Sequence, residues 1–353
     1  MVASIYSSAI IERFPRKLLI VTFTLMVILS CISKSSRDYF TLIGGRIFGG
    51  FATSLLFPTY SSWYIHQHRV FHDFPEEWIE ETFRFAAFWN GVIAVFCGIF
   101  SFVIADQLHF GPVSPFLISI IPLVLSMTIV LVTWEENSGS SPISCRQDCF
   151  KGLFTIVNDS RLLCLGLYQS AFEAVLYVIV YLWNPIIQHY HHIQINLGLV
   201  FSSFMICIMI GTLLHSVVPQ VFKRYSLILV MLIAGLTMLV LAYSTNVYIR
   251  NHNSELAFFA LLAFETVCGF HIPNMNFLQK TLAKTTPPSV FNWTRLPINA
   301  AVCVAILLNK SSNKICETMQ ICCLILFGGF FVSCILFRLL KSKNGDGAAE
   351  TET

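Results

Sequence analysis

The residues best placed to do chemistry stand where a polar side chain is expensive. Between Leu163 and Pro185 the chain is apolar for longer than the ~20 residues a helix needs to cross a bilayer. Near the middle of that stretch are Gln169, Ser170 and Glu173. A carboxylate at such depth costs roughly 2.5–3.5 kcal/mol on insertion scales unless it faces a cavity or a partner. Glu173 is therefore either bonded to a neighbouring helix for structural reasons or part of a path for a solute or a proton. Glu265, Arg46 and Arg295 pose the same question, because each falls within an apolar segment of its own. A guanidinium at that depth needs a carboxylate, a carbonyl or a water-filled space. Where it meets an anionic solute, its fork can hold two oxygens at once.

The elements that carry these residues follow from composition. Of 353 residues, 56% are hydrophobic and only 12% charged, with mean hydropathy +0.71. Soluble domains are nearer a quarter charged. In lipid only helices and closed barrels satisfy their own backbone, and the strand-like alternation of a barrel is absent. The fold class is thus all-α, a polytopic helical membrane protein. Ten spans are predicted: Lys17–Ile32, Tyr39–Ile65, Thr82–Ala105, Pro112–Thr133, Leu162–Trp183, Ile195–Val218, Ser226–Ser244, Leu256–Leu278, Val290–Leu308 and Glu317–Leu340. Met1–Ile11 reads as the tail of an earlier helix and not as a cleavable signal. The longest polar interruption, Trp134–Asp159, divides the chain. The expected domains are an incomplete N-terminal helical half (1–133), a cytosolic central loop (134–159), a C-terminal six-helix half (160–340) and a disordered cytosolic tail (341–353).

Basic residues support this alternation. With Arg13, Arg16 and Lys17 placed in the cytosol, fourteen of the 22 Lys and Arg fall on that side, five on the other and three within spans. The C-terminus is then cytosolic. Asn309-Lys-Ser matches a glycosylation sequon on an outer loop.

The other motifs are weaker. His66, His68 and His72 lie in an interfacial stretch of aromatics and acids and lack a ligand geometry, so no metal site and no cofactor is expected. Cys145 and Cys149 share a polar loop as free thiols, and most of the twelve cysteines sit in spans as small hydrophobes. Gly44, Gly45, Gly49 and Gly50 are spaced to let helix backbones approach. A membrane enzyme would want a His or Asp cluster at one face. The run His189, His191 and His192 has no carboxylate beside it, so no enzyme is expected. No phosphate-binding glycine loop is present, which disfavours an ATP-driven pump. The small net charge of +3 gives no sign of nucleic acid as a partner.

Several strings carry a resemblance. Ile10–Ile20 (IIERFPRKLLI) resembles the basic loop between the second and third helices of the major facilitator superfamily, with Glu12 for the acid and Pro15 for a glycine. Arg46 followed by Gly49 and Gly50 resembles its fourth-helix motif. WYIH at Trp63–His66, HDFPEEW at His72–Trp78 and AAFWN at Ala86–Asn90 resemble the molybdate-anion transporter family of that superfamily. So do Gln169 to Pro185, FSSFM at Phe201–Met205, FETVCGFHIPNM at Phe264–Met275 and NWTRLPIN at Asn292–Asn299. Ser61 and Gln279 depart from the pattern, which usually has a Glu and a basic residue there, and Leu282–Thr286 lacks its Pro-Glu pair. The resemblance covers roughly Ile10–Leu340 and lacks the first helix and much of the second.

The resemblance implies a major facilitator-type two-half bundle at the cell membrane and a secondary transporter of molybdate or a related oxyanion, working by alternating access. The implied site residues are Arg46 and Arg295 as cations, Asn90, Gln169, Ser170 and Asn299 as neutral donors, and Glu173 and Glu265 as partners of the arginines or carriers of a coupling proton. The missing helices keep a second expectation open, a non-transporting shortened isoform or a receptor or regulator of the same fold.

Overall fold

The computed structural model describes residues 10–11, 13–137, 154–190, 196–219, 222, 225–245, 254–282 and 315–349. Every regular element among them is helical. In chain order these are α1 (Arg16–Ser33), α2 (Tyr39–His66), α3 (Glu77–Phe102), α4 (Ser114–Ile118), α5 (Ile120–Thr133), α6 (Ser160–Tyr190), α7 (Leu197–Val217), α8 (Ser226–Ser244), α9 (Ser254–Leu282) and α10 (Ile315–Ala349). Among the described residues nine helical stretches are long and apolar enough to cross a membrane, α4 and α5 together forming one of them. They match nine of the ten predicted spans. The tenth, Val290–Leu308, lies outside the described residues.

The chain divides into two units, Met1–Phe150 and Lys151–Thr353. In the first, α1 is the hub and packs on α2, α4 and α5. The glycine spacing in α2 explains the closest of these contacts. A side chain at Gly45 would run into Ser33, and one at Gly49 would press on Ser30, whereas Gly44 and Gly50 face open space. Phe83, Phe85, Phe88, Trp89, Phe96 and Phe100 of α3 are all exposed, as expected where lipid is the solvent.

Caps and breaks set the helix ends. Asp38 accepts from Thr41 N and from its hydroxyl, both at 2.9 Å, and so starts α2. Pro15 stands ahead of α1 and offers no side-chain cap. Glu136 supplies one from far along the chain, its Oε1 accepting from Lys17 N at 3.1 Å. A carboxylate at that end also suits the helix dipole.

Several elements run further than the sequence suggests: α3 begins at Glu77 instead of Thr82, α6 ends at Tyr190 instead of Trp183, and α2 and α10 extend as well. α2 continues through a π-helical turn, Gln67–Phe71, so only residues 72–76 connect it to α3. The expected interfacial stretch is mostly helix because His68, itself buried, ties its ends: Nε2 bonds the Pro75 carbonyl at 2.8 Å and Nδ1 lies 3.4 Å from the Tyr64 hydroxyl. α10 runs to Ala349, through residues expected as a disordered tail.

The second unit is built around α9, which packs on α6, α7 and α8, while α10 packs on α6 and α8. Its core holds Leu165, Tyr168, Phe172, Ile179, Leu227, Met231, Leu261, Phe264, Met319 and Leu326. The tightest approach is α7 on α9. A Cβ on Gly211 would overlap the Thr266 carbonyl, and one on Gly269 would overlap the Ile208 carbonyl. Small residues at such crossings replace the hydrophobic drive that lipid cannot supply.

Candidate functional site

α6 and α9 bring the polar residues of the second unit together. Glu173 is the fourteenth residue of the 31-residue α6. Gln169, one turn earlier and 1% exposed, donates from Nε2 to Glu173 Oε1 at 2.7 Å. Its own Oε1 accepts from Gln279 Nε2 of α9 at 2.9 Å. The three side chains form a line across two helices, and the bond pattern fixes which way the Gln169 amide points. A carboxylate accepting a short amide bond is held in one orientation. Ser170 is buried beside this line on the same helix.

Further along the same interface, His271 of α9 is 4% exposed and lies flat on Phe172, with ring centroids 3.8 Å apart and planes 14° from parallel. Its Nδ1 is 3.4 Å from the Tyr168 hydroxyl. Phe172 in turn stacks on Phe264 at 5.8 Å. An imidazole so enclosed is oriented by packing as much as by its one polar contact.

Glu265 is 6% exposed and sits elsewhere on α9. It lies within electrostatic reach of Cys207 on α7 and Cys268 on its own helix. It is not part of the Gln279–Gln169–Glu173 line. α9 runs on through Pro273, which has no N–H to give the Gly269 carbonyl. Thr212 of α7 compensates. Its hydroxyl lies 3.0 Å from Gly269 O and shares its proton with Ile208 O at the same distance.

In the first unit, Arg46 is exposed, the eighth residue of α2. It makes no hydrogen bond or ion pair with the described residues. Its charge is felt by Lys34, just beyond α1, whose ammonium lies 3.5 Å over the Phe116 ring. Partial burial, and then the Arg46 charge, lower the Lys34 pKa, with Cys31 acting the other way. Asn90 is exposed on α3. Arg295 and Asn299 lie outside the described residues. Of the eight candidates, then, the structure joins Gln169 to Glu173, sets Ser170 next to them, and keeps Glu265 apart. The ion pairs among the described residues are Arg69–Glu76, Arg84–Glu81 and Arg161–Asp159, and none involves a candidate.

Gln279, Tyr168, His271 and Asn274 were missed as candidates. His271 and Asn274 carried a signal, being polar within an apolar span. Gln279 falls one residue past the predicted end of its span, and only the observed length of α9 brings it to Gln169. Among the described residues no group of three His, Cys, Asp or Glu could hold a metal.

Residues 1–270 match a family model of the major facilitator type described as sugar transporters with 12 TM. The chain is 36% identical over 318 residues to the molybdate-anion transporter of Xenopus laevis, covering 88% of this chain and 69% of that protein. It is 36% identical over 333 residues to the one of Takifugu rubripes (86% and 68%) and 36% over 314 residues to the one of Danio rerio (81% and 64%). With its polytopic helical fold and the similarity to these proteins over most of its length, the chain belongs to the molybdate-anion transporter family of the major facilitator superfamily and is a membrane transporter, not an enzyme.

Proposed function

We propose that the chain mediates uptake of molybdate, or a tetrahedral oxyanion of the same charge, as a secondary transporter working by alternating access. The observation that carries this reading is the similarity, over 81–88% of the chain, to proteins named molybdate-anion transporters. The structure adds support from the first unit, where Arg46 has a charge with no carboxylate paired to it among the described residues. A dianion leaving water needs positive charge and several donors. Arg46 and Arg295 supply the charge. Asn90, Gln169, Ser170 and Asn299 supply neutral donors. Glu173 and Glu265 carry a coupling proton, a role that suits a carboxylate shielded from water.

The proposed setting is the cell membrane, with residues 134–159 as a cytosolic connection between a half at 1–133 and a half at 160–340, and a cytosolic C-terminus. The excess of Lys and Arg on one side of the alternation favours this orientation.

The test is molybdate uptake, counted by mass spectrometry, in cells lacking a carrier of their own. Cells expressing the chain accumulate molybdate above vector controls, and Arg295→Gln abolishes the excess at unchanged surface level. Parallel arms with sulfate, tungstate and a hexose separate the cargo classes. Uptake no greater than in vector cells overturns the proposal, and normal uptake by Arg295→Gln overturns the assigned role of that residue.

A further inference from the structure

The polar side chains that α9 carries around its proline include His271, Asn274 and Gln279, with Asn276 exposed between the last two. Two of the first three are engaged: His271 meets the Tyr168 hydroxyl and the face of Phe172, and Gln279 donates to Gln169. Asn274 is not. It is 0% exposed, and neither Nδ2 nor Oδ1 reaches a hydrogen-bonding protein atom. Among the described residues it is the one side chain with two buried polar atoms in that condition.

A buried polar group without a partner is costly, and an apolar side chain of the same shape avoids the cost. Leucine branches at Cγ as asparagine does. The amide is not needed to replace the bond missing at Pro273, because the Thr212 hydroxyl already serves the freed Gly269 carbonyl. What remains is a partner from outside the protein, an ordered water or a solute that takes its place. A carrier that alternates between conformations holds its solute in only part of the cycle, so a solute-binding group stands unpaired in the rest. The amide offers two N–H donors, the chemistry an oxyanion requires when it leaves water.

We propose that Asn274 is a solute-binding residue, its Nδ2 donating to an oxygen of a tetrahedral oxyanion within the second unit. This rests on the oxyanion reading above. The test compares the full-length chain with Asn274→Leu, in uptake kinetics and in thermal melting of the detergent-solubilised protein with sodium molybdate or sodium chloride. Asn274→Leu is expected to melt at least as high as the wild type in chloride. Its KM for molybdate rises about tenfold or more, the equivalent of one good hydrogen bond to a charged group. Molybdate raises the melting temperature of the wild type and no longer that of the variant. Should Asn274→Leu fail to fold, Asn274→Ala, which leaves space instead of filling it, carries the same readouts. A variant that keeps the wild-type KM and the molybdate-induced shift overturns the assignment alone. A wild type that neither takes up molybdate nor is stabilised by it overturns the oxyanion reading, and this assignment with it.

Discussion

Trp63 near the end of α2 and Trp134 just past α5 lie face to face, ring centroids 3.5 Å apart and planes 14° from parallel. Around them one end of the first unit is tied together. Trp63 Nε1 donates to the Glu135 carbonyl at 3.0 Å, Asn137 Nδ2 donates to the Trp63 carbonyl at 3.3 Å, and Arg16 Nη1 donates to Asn137 Oδ1 at 3.1 Å. Lys17 Nζ donates to the Trp134 carbonyl at 2.7 Å. Three helices and the start of the central connection thus share one cluster. A double-mutant cycle of Trp63→Leu and Trp134→Leu, read by thermal or denaturant unfolding in detergent, is expected to give a coupling of about 0.5–1.5 kcal/mol. Additive effects of the two changes count against the stack as a stabilising contact.

Gly269→Val is expected to destabilise the second unit by about 1–3 kcal/mol, the usual cost of overpacking. The new methyls meet the Ile208 backbone, which cannot move aside as a side chain can. Gly235→Ala is the control, since a Cβ there finds only ordinary contact with the Phe327 ring. Melting temperatures of the two variants, measured side by side, check the contrast. Equal melting would show that α7 and α9 are not packed backbone to backbone.

Gln279→Leu removes the donor to Gln169 and frees that amide to turn. If the line of amides orients Glu173, the maximal rate of uptake falls by several-fold while KM for the solute changes little. Gln279→Glu cannot donate through a carboxylate, so it too breaks the line and gives the same pattern. A proportional rise in KM with an unchanged maximal rate points to a role in solute contact and against orientation.

Acid should weaken the start of α2 in a predictable way. The backbone N–H and the hydroxyl of Thr41 hold the Asp38 carboxyl below its usual value of 3.8. A carboxylate with a depressed native pKa contributes stability that is present above its unfolded value and is lost as the pH falls through the native one. Asp38→Asn keeps a capping oxygen but has nothing to titrate. Its melting temperature therefore loses less than that of the wild type across the acid end of a pH series. Parallel curves for the two proteins refute the assignment.

Much of this arrangement was legible in the residue order. Long apolar runs placed nine helices, with some ends off by up to nine residues, because in lipid a span must satisfy its own backbone. Gln169, Ser170 and Glu173 could be picked because they are polar in the middle of an apolar run. The spacing from Gly45 to Gly49 announced a close crossing, although only the fold shows that these two, and not Gly44 or Gly50, meet α1. What could not be read was partnership across elements. Gln279 closes a line with Gln169 only because α6 and α9 run against each other in the observed register. Glu136 caps α1 only because the chain after α5 returns to it. The π-helical turn after His66 escaped notice because its cause, the buried His68 reaching Pro75, is a contact and not a pattern.

The crossing of α7 and α9 carries one further implication. Gly211 and Gly269 leave no slack between the two backbones, and Thr212 fastens the same spot with a hydroxyl. Helices fastened in this manner are expected to move as one piece. Probes attached to the outer ends of the pair would keep a constant separation through the working cycle, whatever their neighbours do.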